Sequence, residues 1–225
     1  MKHAFKLGVV GSLGRMGRRV CALAQENSRF ELAAQIERGN FKTTPWSDLD
    51  VLIDFSTPES SLAVLKKAVK NKIPAVIGVT GFSNSQISQI KAASRKIPIF
   101  WSPNFSPGIF WMKRLAQDAA KALSNYDLSI LETHHKTKKD APSGTAKALV
   151  SVLGREAEVL SSRVGDVVGE HTLVLAGPFE RLEITHLAHS RDVFAKGALE
   201  AAEWLSSHKP GFYGMEDLFV HNGKN

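Results

Sequence analysis

KLGVVGSLGRMG, residues 6–17, decides how the rest of the chain is read. Residues 6–10 form a short apolar run of strand length. Three glycines spaced G-x-x-G-x-x-G follow. A helical pattern comes next, with Val20, Leu23 and Ala24 inward and Arg18 and Arg19 outward. A glycine turn between a strand and a helix can seat a pyrophosphate. The glycines allow a tight turn, and the helix start offers free N–H groups. Gly11, Ser12, Gly14, Arg15, Met16 and Gly17 are the candidate contacts. The spacing departs from G-x-G-x-x-G, so the run taken alone also reads as a plain glycine-rich turn.

Working outward, residues 30–36 read as a second strand ending in Glu37-Arg38. That is about twenty residues beyond the glycines, where dinucleotide-binding folds place a ribose-reading acid. Glu37 can accept from both ribose hydroxyls. Arg38 can stack on adenine or pair with a 2′-phosphate, so the pair predicts tolerance of NADH and NADPH. It also reads as a solvated turn. Residues 51–55 are a third strand. Ser56 or Thr57 then caps a helix with Pro58 in its first turn and Leu62, Leu65, Ala68 and Val69 on one face. Residues 75–79 are a fourth strand ending at Thr80-Gly81, and 83–94 a helix with Ile87 and Ile90 inward. Residues 97–101 are a fifth strand, followed by the loop at 102–108. This alternation predicts a doubly wound parallel sheet, Rossmann-like, with ligands at the carboxyl edge.

The second half changes rhythm. Residues 109–123 read as a helix with Trp111, Leu115, Ala119 and Ala122 near one side. Residues 126–133 read as a strand leading into ETHHKTKKDAPSGTA, residues 132–146. Beyond it, Ala146, Leu149, Val150, Leu153 and Ala157 recur at helical spacing. Pro142-Ser143-Gly144-Thr145 therefore opens a helix, with Pro142 expected in the first turn. Such a start suits an anion, and Lys136, Lys138 and Lys139 add charge beside the titratable His134 and His135. One reading is a pocket for a small dicarboxylate with an acid to hand; the other is a solvated basic turn. Strand residues alternate, so either one of the two histidines faces the core or the strand breaks there. Residues 164–175 and 179–189 read as two long strands of an antiparallel sheet with unlike faces. Phe179, Leu182, Ile184 and Leu187 need cover, which invites another subunit. Residues 192–205 read as a helix, and 209–225 as a loop and short helix returning to the first domain. The expected domains are 1–106 with 200–225 for the dinucleotide and 107–199, an α+β unit with a mixed, largely antiparallel open sheet, for substrate and oligomerisation.

Composition sets outer limits. The chain has 225 residues, 43% hydrophobic and 23% charged, ordinary for a globular protein. One cysteine, Cys21, excludes a disulfide framework, fits a reducing cytoplasm, and sits among apolar neighbours as packing. The opening residues carry no signal-peptide pattern, and no apolar stretch is long enough to span a bilayer. A formal charge of +7 permits nucleic-acid binding, but the basic residues are scattered without interleaved aromatics; an anionic cofactor and substrate account for the surplus.

With these motifs in place, the sequence resembles the dihydrodipicolinate reductase family, also called 4-hydroxy-tetrahydrodipicolinate reductase. The resemblance runs nearly end to end. Glu132 to Ala146 matches the family pattern E-x-H-H-x-x-K-x-D-x-P-S-G-T-A, and Gly11 to Gly17 matches the cofactor loop. Asp54-Phe55-Ser56, Asn104-Phe105-Ser106, GDVVGEH at 165–171 and RLEITH at 181–186 match further segments. The resemblance implies NADPH- or NADH-dependent reduction of a cyclic unsaturated dicarboxylate in diaminopimelate and lysine biosynthesis. It implies His134 as proton donor and Lys138 beside it in catalysis, with His135, Ser143, Gly144, Thr145 and Thr80 on the substrate. Gly78, Val79, Thr80, Phe55, Ser56, Asn104 and Phe105 fall on the cofactor side with the glycine loop, Glu37 and Arg38. It further implies a homotetramer joined through the second-domain sheets. No metal is expected, because the histidines lack cysteine or carboxylate partners at ligand spacing. Val79 replaces a frequent threonine, and the stretch before Val164 is shorter than in many members, which bears on the tetramer contacts. Two other functions fit parts of the sequence: a different two-domain oxidoreductase, with the His-His-Lys region changed, or a non-catalytic NAD(P)-binding sensor.

Overall fold

The structure, a computed structural model, describes residues 4–220. The chain divides into two compact units, 1–105 with 194–225, and 106–193.

The first unit is built around β1 (Phe5–Val10), α1 (Arg15–Gln25), β2 (Phe30–Ile36), β3 (Val51–Asp54), α2 (Pro58–Asn71), β4 (Ala75–Ile77), α3 (Asn84–Ser94) and β5 (Pro98–Trp101). Every strand pair in its sheet is parallel. Within the sheet, β5, β4, β3, β1 and β2 succeed one another, so the winding reverses between β1 and β3. Strands covered on both faces are apolar throughout: Leu7, Val9, Val51, Leu52, Ile53, Val76 and Ile99 are fully or almost fully buried. Thr57 caps α2 by accepting from Ser60 N, and Ser83 and Gln86 form a capping box on α3. Cys21 lies buried in α1, where burial pushes its thiol pKa up, as befits packing.

The second unit contains α4 (Pro107–Ala122), β6 (Asp127–His134), α5 (Gly144–Leu153), β7 (Glu158–Arg163), β8 (Glu170–Ala176) and β9 (Arg181–Leu187). Its sheet runs β7-β6-β8-β9; β6 and β7 are parallel and the other pairs antiparallel. One face carries Leu128, Ile130, Leu173 and Leu175 against Ile109, Met112, Ala116 and Ala120 of α4 and Ala146, Leu149 and Leu153 of α5. Truncating Ile130 to alanine there would cost roughly 2–5 kcal/mol. The other face exposes Leu131 and Leu160, cross-strand partners, and Leu187 on the far strand β9. After it, α6 (Asp192–Leu205) rejoins the first unit from Phe194 on. There β10 (Gly211–Tyr213) pairs parallel with β5, and α7 (Met215–Val220) follows. No helix among the described residues is long and apolar enough to cross a membrane.

The fold class read from the sequence holds, and several local readings are corrected. Trp111 and Leu115 are exposed; the buried stripe of α4 is Ile109, Met112, Ala116 and Ala120, one turn-face away. Pro142 lies before the cap of α5, outside its first turn, because Ser143 is the N-cap. α5 stops at Leu153 with Gly154 in the left-handed region, so Ala157 is outside it. Residues 158–163 form strand β7, which the helical reading passed over. The long strands expected over 164–175 and 179–189 begin at Glu170 and Arg181 instead. The tail contributes a strand to the first sheet, and 221–225 lie outside the described residues.

Candidate active site

In the first unit, the glycine turn does what its residues allow. Gly11 has φ 72°, and a Cβ there would lie 2.9 Å from the Phe55 carbonyl oxygen. A Cβ on Gly17 would collide with the Gly11 carbonyl, so α1 crosses the turn at van der Waals contact. No side chain caps α1 and its first turn holds no acid, which leaves its N-terminus to an external anion. Glu37 closes the turn from the side: Oε1 accepts from Ser12 Oγ at 3.0 Å and Leu13 N at 2.8 Å. Asn40 knots the following loop, accepting from Glu37 N through Oδ1 and donating to the Gln35 carbonyl through Nδ2. Glu37, Arg38, Phe41 and Lys42 line a cavity of about 830 Å³ together with Gly11, Gly14 and Ser56. That volume and lining suit an adenosine half: apolar walls, an acid for hydroxyls, and two cations.

Other predicted contacts are placed differently. Ser56 turns inward and donates to Asp54 Oδ1 at 2.6 Å. Phe105 is 1% exposed, its ring packed on Phe55 and Phe100, so only its backbone can meet a ligand. Val79 is a core residue, and its carbonyl accepts from Trp101 Nε1. An aliphatic side chain suits that position. Gly78 lies against the Phe55 ring, Thr80 is exposed, and Asn104 is half-buried, its carbonyl accepting from Ser102 Oγ.

In the second unit, a row of polar side chains crosses the helix-covered face of the sheet. Ser161, Glu132, His171 and His186 are successive cross-strand partners on β7, β6, β8 and β9. Two helix caps dock on this row. Ser143 Oγ, the α5 N-cap, lies 3.2 Å from His171 Nε2, and Ser106 Oγ, the α4 N-cap, lies 3.1 Å from His186 Nε2. Glu132 is 1% exposed. Its Oε1 accepts from Ser161 Oγ at 2.6 Å, Arg163 Nη2 at 2.8 Å and Ser143 N at 3.1 Å. Burial pushes the Glu132 carboxyl up, but these donors outweigh it and hold the pKa at about 2.

His134 ends β6, on the same face as Glu132 and two positions on. Its Nδ1 lies 3.0 Å from Glu132 Oε2. The approach is an ion-pair contact rather than an aligned hydrogen bond, and both atoms are otherwise without a hydrogen-bond partner. Burial lowers the His134 pKa, the Glu132 charge opposes that, and Lys138 and Arg163 add to the lowering. His171 is held lower, to about 4, chiefly by burial. The strand stops at His134, so His135 enters a turn and pairs with Thr137 at 2.7 Å. Lys138 Nζ grips both oxygens of Asp140 at 2.7 and 2.9 Å, and Arg163 Nη2 also donates to the Asp140 carbonyl. Gly144 is exposed with open space at its Cα, at the start of α5 beside Thr145. Ser143 is 2% exposed and engaged by Ala146 N and His171, a duty inside the fold rather than toward a ligand.

The structure also supplies partners the motif reading missed: Glu132 beside His134, and Arg163, Asp140 and His171 around them. The expectation that the histidines lack a carboxylate partner is overturned, since ligand atoms of Glu132, His134 and His171 lie within 4.8 Å of one another. Arg163 already pairs with that carboxylate, which opposes a divalent cation in the same place.

A doubly wound unit with an uncapped glycine turn and an acid-and-cation adenosine cavity, joined to a unit carrying a buried acid–imidazole cluster, defines a two-domain NAD(P)-dependent oxidoreductase. Family models described as dihydrodipicolinate reductase, N-terminus and C-terminus, match residues 5–105 and 108–219. The chain belongs to the dihydrodipicolinate reductase family. It is 41% identical over 244 residues to 4-hydroxy-tetrahydrodipicolinate reductase of Caldanaerobacter subterraneus subsp. tengcongensis, covering 95% of this chain and 97% of that one. To the enzyme of the same name from Bdellovibrio bacteriovorus it is 40% identical over 225 residues, covering 97% and 98%. The dipicolinate-bound dihydrodipicolinate reductase from Paenisporosarcina sp. TG-14 shares the fold, with a TM-score of 0.79 at 19% identity, over 97% of this chain and 100% of that one.

Proposed function

We propose that this protein reduces 4-hydroxy-tetrahydrodipicolinate to tetrahydrodipicolinate with NADH or NADPH, a step of diaminopimelate and lysine biosynthesis. The observation that carries the reading is His134 against the buried Glu132 carboxylate, one turn of chain before Lys138 and the α5 start. Loss of water from the hydroxylated substrate creates a carbon–carbon double bond conjugated with an imine, to which a bound reduced nicotinamide would supply hydride. The charge left on the conjugated system takes up a proton. His134 donates it, and a titrating imidazole suits the task near neutral pH. Lys138, which also pairs with Asp140, and the N–H groups of Gly144 and Thr145 hold the carboxylates. His135 flanks the same turn. Gly11 to Gly17 seats the pyrophosphate, Glu37 the ribose, and Arg38 the adenine or a 2′-phosphate, while backbone groups at 78–80 and 104–105 meet the nicotinamide. The test is a coupled assay that generates dihydrodipicolinate: NADPH is consumed steadily only when that substrate forms.

Assembly is part of the same reading. Leu131, Leu160 and Leu187, 43%, 50% and 49% exposed, leave one face of the second sheet partly apolar. A second copy laid on that face buries them, and two such pairs give a homotetramer. Light scattering of the purified chain, with Leu160→Asp as the disrupting variant, tests it: dissociation on substitution supports it, and a monomeric wild type contradicts it.

A further inference from the structure

We infer that Glu132 is the positioning residue that fixes which nitrogen of His134 delivers the proton: it holds Nδ1, so that delivery falls to Nε2. The inference rests on the proposed role of His134 and deepens it.

Three observations combine. First, the two oxygens of Glu132 have different duties. Oε1 takes all three donors, Ser161 Oγ, Arg163 Nη2 and Ser143 N. Oε2 is left facing imidazoles alone, His134 Nδ1 at 3.0 Å and His171 Nε2 at 3.9 Å. A buried carboxylate needs partners. Oε1 meets that need without His134, so the second oxygen is held in place for the ring.

Second, the carboxylate cannot move away. Its anchors come from three elements: β7 through Ser161 and Arg163, the α5 cap through Ser143, and β6 itself. A bare carboxylate accepts and never donates, so its charge beside Nδ1 favours the imidazole proton on that nitrogen. The neutral ring is then the Nδ1–H tautomer, and the second proton of the cation sits on Nε2.

Third, Nε2 lies against Gly169. A Cβ on Gly169 would lie 3.1 Å from His134 Nε2, and no left-handed backbone angle requires glycine there. A side chain there would crowd the nitrogen that delivers the proton.

The charged and titratable groups around His134 are Glu132 on its own strand, Lys138 and Asp140 on the following loop, Arg163 on β7 and His171 on β8. Of these, Glu132 is the negative charge nearest the ring, and it favours the imidazolium.

The test is nitrogen-15 NMR of the histidine rings in the full chain, assigned by loss of the His134 signals in His134→Gln. It runs in parallel with the pH dependence of kcat. The wild type is expected to show His134 as the Nδ1–H tautomer when neutral. Glu132→Gln can still accept from Ser143, Ser161 and Arg163, but its amide donates to Nδ1. The tautomer should therefore switch to Nε2–H, and the titration midpoint should fall by about one pH unit or more. The loss of kcat with rising pH should move to lower pH by the same amount, with kcat down on the order of tenfold or more. A merely structural glutamate would leave tautomer and midpoint unchanged. A wild-type Nε2–H tautomer overturns the inference whether or not the variant folds. So does an unmoved midpoint in Glu132→Gln. Absence of wild-type turnover would instead count against the proposed reaction, and the NMR outcome is read independently of it.

Discussion

Nδ1 of His134 lies 3.0 Å from Oε2 of Glu132, a residue two positions earlier on the same buried face of β6. This pairing puts a permanent negative charge beside the ring assigned to proton transfer. The carboxyl is held at about 2, so it remains ionised throughout the working range of an imidazole.

That depressed pKa has a consequence for acid stability. A carboxyl whose folded pKa falls from 4.5 to about 2 contributes stability that is present above the unfolded value and lost as pH falls through the folded one. The shift corresponds to something on the order of 3 kcal/mol. Urea unfolding between pH 6 and pH 2, taken as approximate limits, should show a steep loss that is shallower in Glu132→Gln. Equal slopes would mean that the carboxyl titrates alike in both states.

Asp54 works in the opposite direction. It is 2% exposed; Oδ1 accepts from Ser56, while Oδ2 has no hydrogen-bond partner. Ser61 is close enough to act on the carboxyl but lies outside hydrogen-bond geometry. Burial, the dominant effect, raises the pKa above 3.8. The folded state then binds more protons than the unfolded one, and stability falls as pH rises from the ordinary carboxyl range through the folded pKa. Asp54→Asn should remove that decline and unfold at higher denaturant than wild type at neutral pH. A variant with the wild-type pH dependence would contradict it.

Lys138 rests in a two-point ion pair with Asp140. Lys138→Ala should raise KM for the dicarboxylate and lower kcat together, each by about tenfold or more, while leaving nucleotide affinity unchanged. Wild-type kinetics would remove Lys138 from the site.

Arg38 and Lys42 line the cavity that also holds Glu37. Arg38→Ala should weaken NADPH more than NADH, because only the former carries a 2′-phosphate. Titration with both reduced nucleotides measures this; equal losses would place Arg38 on the adenine face instead.

The parts of this account legible in the sequence are those set by local chemistry. The glycine turn, the buried runs of β1 and β3 and the helix start at Ser56-Thr57-Pro58 depend on neighbours a few positions apart. Strand β7 escaped notice because Glu158, Leu160, Ser161 and Ser162 are exposed at a sheet edge, so its alternation carries little contrast. Trp111 and Leu115 were grouped near one side of the helix by their spacing, yet the face of α4 that packs is set by what β6 and β8 offer. The pairing of Glu132 with Ser161 and His171 follows from strand register, which no short motif records. The Ser143 hydroxyl was read as a ligand contact and caps α5, while Ser56, placed on the cofactor side by the resemblance, donates to the buried Asp54 carboxylate.

The central claim is hydride transfer from a nicotinamide to the substrate ring, with His134 closing the step. Its most direct test uses NADPH deuterated at the transferable C4 position, turned over by the wild-type chain in the dihydrodipicolinate-generating assay, with mass spectrometry of the product. The account predicts tetrahydrodipicolinate carrying one deuterium per nucleotide oxidised, and the same label at a much lower rate in His134→Gln. Nucleotide oxidation without label in the product, or no oxidation when the substrate is present, would contradict it.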